Sequence, residues 1–292
     1  MCFIHMNKNE NAGGFLCTDE ERLLISRATE ISRREANSAV ALSFLTPREQ
    51  RLVFESAEKD GYSQRIFFWG GYRGAERRRA IFLPSWLESD SPCRAPLFSV
   101  EREDFFLSLL SSMGLLDICS ELVLSMKMRG SGYLSLSHRD FLGALMALGI
   151  KRNVIGDICV DNNTAVVFCD EKAHAFVLDE LKRAGRDTVT CSQFSAGVDF
   201  QPVRHFEDIC ASVASVRFDG VVRALCSISR EDACELVHKG LCEINFFMEK
   251  EPDRIIREGD IVSVRGYGKY IIDRACDLTK RGRIRLVARK YV

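Results

Sequence analysis

The sequence predicts an α+β protein in three parts, and three observations carry that prediction. Two capped helices and a β-prone hairpin come first, a β-α-β-β-α-β series occupies the middle, and two short helices followed by strands close the chain. The predicted organisation is a flexible tail over 1–17, a helical and hairpin domain over 18–96, a ferredoxin-like (RRM-like) domain over 97–200, a linker over 201–215 and a C-terminal domain over 216–292. With 292 residues, 46% of them hydrophobic and 28% charged, the chain has apolar material for more than one core, which excludes wholesale disorder.

In the first part, Thr18-Asp19-Glu20-Glu21 and Thr46-Pro47-Arg48-Glu49 read as capping boxes, the second with proline at the first helical position, and Gly61 ends the second helix. Gln64 to Trp69 and Ala80 to Leu83 read as two strands. They flank Gly70-Gly71-Tyr72-Arg73-Gly74-Ala75-Glu76-Arg77-Arg78-Arg79, whose glycines suit a turn and whose charge argues against core. Ser85, Ser89, Ser91 and Pro92 mark 85–96 as a linker. In the middle part, Leu122 to Met128 reads as a strand and Arg139 to Leu148 as a helix with Phe141, Leu142, Leu145 and Leu148 on one face. Strands at Gly156 to Val160 and Ala165 to Cys169, a helix from Glu171 to Ala184 and a strand from Thr188 to Phe194 complete the series. Residues 101–118 read as helical without a secure place. In the last part Val221, Val222 and Leu225 share a helical face, Ser229 with Asp232 caps a second helix, and Gly240 sits where a left-handed C-cap is required. Strands follow at Leu241 to Phe246 and Asp260 to Arg265.

Formal charge is zero, 41 basic residues against 41 acidic, which taken alone argues against a nucleic-acid partner. The distribution reverses that. Arg265 to Val292 carries +7 and Arg65 to Arg79 carries +4, so the remainder carries −11. In Arg281-Gly282-Arg283-Ile284-Arg285-Leu286 the arginines alternate, so a strand places three guanidinium groups on one face at steps of about 6.6 Å, a row of forked donors suited to successive phosphates. The alternative is a sheet edge kept soluble by charge. In the first patch Trp69 and Tyr72 adjoin Arg73, Arg77 and Arg78, and aromatic faces beside arginine suit unpaired RNA bases; a polar hairpin tip is the alternative.

Twelve cysteines without any Cys-x-x-Cys or zinc-finger spacing read as reduced thiols, with no metal and no cofactor expected. No run of about 18 apolar residues occurs, so no membrane span is expected, and the N-terminus lacks the pattern of a secretory signal. His138-Arg139-Asp140 is similar to a kinase catalytic loop, but Leu145 stands where that loop needs asparagine, and Ser137 with Asp140 forms a capping box instead. Gly266-Tyr267-Gly268 lacks the third glycine of a dinucleotide fingerprint.

From Val216 to Arg265 the chain resembles the αL RNA-binding module named after small-subunit ribosomal protein S-four. The residues are Arg217-Phe218-Asp219, Ser229-Arg230, Ala233, Leu236-Val237-His238-Lys239-Gly240, Ile244-Asn245 and Glu258-Gly259-Asp260-Ile261-Val262-Ser263-Val264. Phe218 and Phe246 depart from that pattern. The resemblance implies that Arg217, Arg230, Lys239 and Asn245 face structured RNA. Upstream, Gly70-Gly71-Tyr72, Ala75 to Arg79, Ser137 to Leu145, Leu148 to Arg152, Ile155-Gly156-Asp157 and, downstream, Arg265-Gly266-Tyr267-Gly268-Lys269 resemble the bacterial YlmH family from about residue 40 onward. That resemblance implies a cytoplasmic, non-catalytic RNA-binding protein that contacts rRNA and tRNA on the large ribosomal subunit during rescue of stalled nascent chains, monomeric off the ribosome. The expected RNA-binding residues are Arg217, Arg230, Lys239, Asn245, Arg265, Lys269, Arg281, Arg283, Arg285, Tyr72, Arg73, Arg77, Arg78, His138 and Arg139. Two alternatives stand beside it. An RNA-modifying enzyme of pseudouridine synthase or rRNA methyltransferase type would need a catalytic Arg-Leu-Asp loop in a larger domain, or a glycine-rich cofactor loop, and neither is present. A protein-interaction scaffold linked to cell division could coexist with RNA binding.

Overall fold

The computed structural model describes residues 10–11, 15–34, 37–87, 92–278 and 282–291, and the chain packs as two compact units, Met1–Val203 and Arg204–Val292. Most of the expected tail over 1–17 lies outside the described residues. What is described there pairs: β1 (Glu10–Asn11) runs antiparallel to β2 (Phe15–Leu16).

The first unit begins with α1 (Asp19–Arg33) and α2 (Pro47–Lys59), each opened by the expected capping box. Thr18 and Thr46 accept from the amides of Glu21 and Glu49, whose carboxylates accept in turn from the capping residues' own amides. Between them lies β3 (Val40–Leu45), which the sequence reading missed. It pairs with β5 (Arg78–Phe82), which also pairs with β4 (Ile66–Trp69), giving the antiparallel order β3-β5-β4. The period of two, broken in β3 by a register shift between Ala41 and Phe44, divides this sheet. Leu42, Ile66, Phe68, Ala80 and Phe82 pack on α1 and α2, while Phe44, Phe67, Trp69 and Ile81 belong to a second core on the other face.

Residues 101–118 find their place as α3 (Val100–Ser112) and the start of α4 (Asp117–Leu122). Then come β6 (Leu124–Gly130), α5 (His138–Ala147), β7 (Ile155–Asp161), β8 (Thr164–Cys169), α6 (Glu171–Glu180), β9 (Arg183–Ala184) and β10 (Asp187–Gln193). Their sheet has the order β7-β8-β6-β10-β9 with every neighbour antiparallel. The helix expected to run to Ala184 stops at Glu180, because Gly185 at φ +58° lets Ala184 and Asp187 close a hairpin.

One face of this sheet packs on α5 and α6 through Met126, Met128, Phe141, Leu145, Val167 and Val177. On the other face Val166 and Phe168 enter the same core as Phe44, Phe67, Tyr72 and Phe106, so the boundary expected at 96/97 crosses one continuous core. Gly71 permits this packing: at φ +102° its hypothetical Cβ would lie 2.2 Å from Phe168 Cδ1, so only glycine lets the loop rest on the ring. The linker expected over 85–96 is also tied down where it is described. Leu87 and Cys93 are buried, and the Gln64 side-chain amide both donates to the Cys93 carbonyl and accepts from its N–H.

The second unit starts with β11 (Phe206–Val213), inside the segment expected to be a linker. It is a strand because β16 (Ile284–Tyr291) pairs with its whole length. Between them lie α7 (Phe218–Cys226), α8 (Arg230–His238), β12 (Cys242–Ile244), β13 (Phe247–Met248), β14 (Ile261–Val264) and β15 (Gly268–Leu278), in the sheet order β11-β16-β15-β14-β12-β13. Phe218, Val221, Val222, Leu225, Ala233 and Val237 bury the helices on one face of this sheet, against Val262, Val264, Ile272, Leu286 and Ala288. Ser229 caps α8 through the Asp232 amide, and Gly240 is left-handed at φ +67°, both as the sequence predicts.

Candidate nucleic-acid interface

The patch over Arg65 to Arg79 is largely turned inward, with Arg78 buried and Arg65, Arg73, Arg77 and Arg79 half-buried, which runs against the expectation that it stacks and pairs with RNA. Tyr72 and Trp69 are buried in the second core. Tyr72 donates to Asp157 at 2.8 Å, and burial together with that carboxylate pushes its phenol far above the usual range. Asp157 also accepts the amides of Glu76 (2.8 Å) and Arg77 (3.0 Å), fixing the loop on β7.

Each arginine of the patch has a partner within the first unit. Arg73 pairs with Asp104 at 2.8 Å and with Asp199. Arg77 donates to the carbonyls of Ile155, Phe44 and Arg152. Arg78, 4% exposed, meets Glu103 at 2.8 Å, and Glu103 accepts from the Gly74 amide as well. Arg79 reaches the carbonyls of Leu42 and Leu122, and Arg65 that of Leu83. Burial lowers the pKa of Arg77, Arg78 and Arg79 and raises that of Glu103. The sequence reading counted these charges without their partners, which lie up to 126 residues away.

The C-terminal module is arranged differently, around one carboxylate. Asp219 is 1% exposed at the start of α7, where the Arg217-Phe218-Asp219 segment is held by Phe218 and Asp219 amides donating to the carbonyls of Arg254 and Pro252. Phe218 fills the core, and Asp219 accepts from the Gly220 amide at 2.8 Å, from Arg230 Nε at 2.9 Å and Nη2 at 2.8 Å, and from Arg217 Nε at 3.4 Å. Burial alone would raise the Asp219 pKa, but Arg230, the Gly220 amide and Arg217 outweigh it and hold the carboxyl below its usual range. The guanidinium of Arg230 remains largely exposed, with its side chain 65% accessible. One buried anion therefore brings together two predicted RNA-binding arginines from α7 and α8 and fixes the direction in which they face solvent. Sequence reasoning quoted Asp219 in the motif and missed its role; the Arg-x-Asp spacing at a helix start was the available signal.

The remaining predicted residues fall into two groups. Lys239 caps the C-terminal end of α8, exposed and paired with Glu235 one turn back. Arg265 is exposed in the turn before β15, and Arg285 is exposed on the sheet face away from the helices. Arg283 precedes β16 and donates to the Ser212 carbonyl at 2.7 Å, while Arg281 lies outside the described residues, so the expected row of three on one strand reduces to Arg285 within the strand itself. Lys269 is half-buried, its ammonium 5.1 Å from the Phe246 ring centroid and 5.5 Å from that of Tyr291. His138 and Arg139 are exposed on the first turn of α5 beyond the Ser137–Asp140 capping box.

Asn245 is held within its own turn. Its side chain donates to Asp260 and accepts from the Ile261 amide, and its φ of +50° followed by Phe246 at +69° makes the two-residue turn between β12 and β13. Both ends of its amide serve the turn. Among the described residues no group of three or more His, Cys, Asp or Glu side chains is placed to hold a metal ion, and no helix is long and apolar enough to cross a membrane.

A family model described as "Putative RNA-binding domain in YlmH" matches residues 123–197. Ribosome-associated protein quality control protein P2 of Bacillus subtilis (strain 168) is 31% identical over 266 residues, 89% of this chain and 89% of that protein. A solved structure, cell division protein ylmH from Streptococcus pneumoniae, aligns with 17% identity and a TM-score of 0.43 over 61% of this chain and 93% of that one. With a relative this similar along nearly its whole length, the chain belongs to the YlmH family.

Proposed function

We propose that this protein is a non-catalytic RNA-binding factor that docks on rRNA and tRNA at the large ribosomal subunit, in the quality control of stalled nascent chains, and that it works in the cytoplasm without a cofactor. The observation that carries the reading is the Asp219 clamp, which presents Arg217 and Arg230 outward from a pair of helices whose apolar residues face the sheet. Orientation of exposed guanidinium groups by a buried anion suits recognition of phosphate at fixed positions, and serves no catalytic step. Lys239 and Arg265 extend the same cationic set, the middle sheet has the strand order of a ferredoxin-like domain, and the C-terminal unit is read as the αL module that its motif resembles. The ribosome enters through the relative named for ribosome-associated quality control.

Arg230→Ala combined with Lys239→Ala is expected to weaken co-sedimentation with large ribosomal subunits by tenfold or more and to lower the melting temperature, because the buried Asp219 loses Arg230, whereas Lys239→Ala alone, whose partner Glu235 is exposed, is expected to weaken co-sedimentation with the melting temperature unchanged. Unchanged co-sedimentation would remove these residues from the interface. For the enzymatic alternative, incubation with rRNA and S-adenosylmethionine followed by nucleoside mass spectrometry is expected to show no modified nucleoside, and stoichiometric modification would overturn the non-catalytic reading.

A further inference from the structure

We propose that the uncovered half of the middle sheet, across β6, β10 and β9, binds the sugar-phosphate backbone of single-stranded RNA. The inference rests on the RNA-binding reading above and adds a second surface, in a part of the chain where the sequence analysis placed only His138 and Arg139.

The sheet face turned away from α5 and α6 is divided in two. Its β7–β8 half is closed, since Val166 and Phe168 are buried, Phe168 with its ring centroid 5.0 Å from Tyr72. Its β6–β10 half is open from Lys127 onward, the chain at Phe194 and Ala196 covering only Ser125 at its edge. Lys127 and Arg129 alternate along β6, exposed, two residues or about 6.6–6.8 Å apart, a step comparable to that between phosphates of an extended strand. The register sets Lys127 opposite Ser192 and Arg129 opposite Thr190 on β10, with Thr164 on the other side of Arg129. Arg183 on β9 lies opposite Thr188. Thr188, Thr190 and Ser192 are all exposed.

This half-face therefore carries three cations and a set of hydroxyls, and no aspartate or glutamate occupies its outward register positions. None of the three cations makes a salt bridge among the described residues, in contrast to Arg73, which pairs with Asp104 and Asp199, and Arg78, which pairs with the buried Glu103. A folded chain whose net charge is zero has acidic groups available for such pairing. Their exclusion from one continuous strip leaves a surface complementary to a polyanion. Guanidinium forks, an ammonium and hydroxyls are the donor types that phosphate oxygens and ribose hydroxyls accept from.

The occupant is the backbone and not the bases. The central-strand positions that could offer stacking surfaces, Val166 and Phe168, are buried, and Phe194, beside the strip, lies beneath Lys127 with the ammonium 5.5 Å from its ring centroid. Binding here is consequently insensitive to sequence and sensitive to salt. The strip falls within residues 123–197, the span that matches the family's RNA-binding model.

The test uses the full chain and a fluorescein-labelled twelve-nucleotide oligouridine, titrated at several salt concentrations. Lys127→Ala with Arg129→Ala is expected to weaken oligouridine binding at least tenfold at low salt and to make the log–log salt slope shallower by about 1.4, two phosphates at about 0.7 each. Charge reversal, Lys127→Glu with Arg129→Glu, is expected to weaken it further. Thermal melts of both variants are expected to match the native protein because the side chains are exposed. Unchanged affinity and slope in both variants would overturn the sheet assignment, as would native protein that binds rRNA but not oligouridine; either result leaves the C-terminal module's role standing. Native protein that binds neither RNA at low salt would overturn the RNA-binding reading itself.

Discussion

Arg78→Met is expected to destabilise the first unit by about 3–5 kcal/mol, the usual consequence of removing one partner from a buried ion pair. The pair is desolvated on both sides, with side-chain accessibilities of 5% for Arg78 and 4% for Glu103 at 2.8 Å. Methionine occupies comparable length but leaves the Glu103 carboxylate in a low-dielectric site with only the Gly74 amide to accept from. Denaturant unfolding measures the loss. The same variant, under conditions where it remains folded, is expected to bind rRNA within twofold of the native protein, since the guanidinium faces no solvent. An RNA-binding role for Arg78 makes the opposite forecast: stability little changed and affinity reduced.

The second large effect is expected at Asp219. Asp219→Ala removes the acceptor shared by Arg217, Arg230 and the Gly220 amide, so the C-terminal unit loses about 1.5–3 kcal/mol, the range for hydrogen bonds to a charged group. Both guanidinium groups regain rotamer freedom that must be given up again on binding, and rRNA affinity is expected to fall about three- to tenfold. The sign is diagnostic. The substitution makes the protein more positive by one charge, so simple electrostatic attraction predicts tighter binding, whereas positioning predicts weaker. Asp219→Asn changes charge equally while keeping an acceptor for Gly220, and is expected to fall between native and alanine. Because the folded pKa of Asp219 lies below its ordinary value, the clamp's contribution is complete above the unfolded carboxylate pKa, about 4, and is lost as pH falls through the lower folded value.

Local rules made much of the fold legible. Thr18–Glu21, Thr46–Glu49 and Ser137–Asp140 form the capping boxes their spacing predicts, and the β-α-β-β-α-β series appears in order, because these signals act over three to eight residues. Apart from the local hairpin at Gly185 that ends α6 early, the misreadings share one cause, a distant partner. Phe206 to Val213 looks like a linker until β16 pairs with it about eighty residues later. The loop over 70–79 looks like a solvated tip because composition does not reveal that Glu103, Asp104, Asp157 and Asp199 wait to neutralise or accept from it. The candidate site was partly legible for the same reason. Arg217 and Arg230 follow from a local motif, but that one carboxylate joins them depends on two helices meeting. The alternating Lys127 and Arg129 were visible within a predicted strand, yet which half of that sheet stays open depends on where Tyr72 packs.

Zero net charge thus conceals two kinds of basic residue, arginines consumed inside the first unit and cations left outward on the C-terminal module and the middle sheet. The central claim is that the outward set docks on RNA through phosphate. Its most direct test is the dependence of native rRNA affinity on salt, measured as log K against log salt concentration. Each neutralised phosphate contributes a slope of about −0.7 to −0.9, so engagement of at least three cations predicts a slope of about −2 to −3 or steeper. A slope near zero would contradict the account.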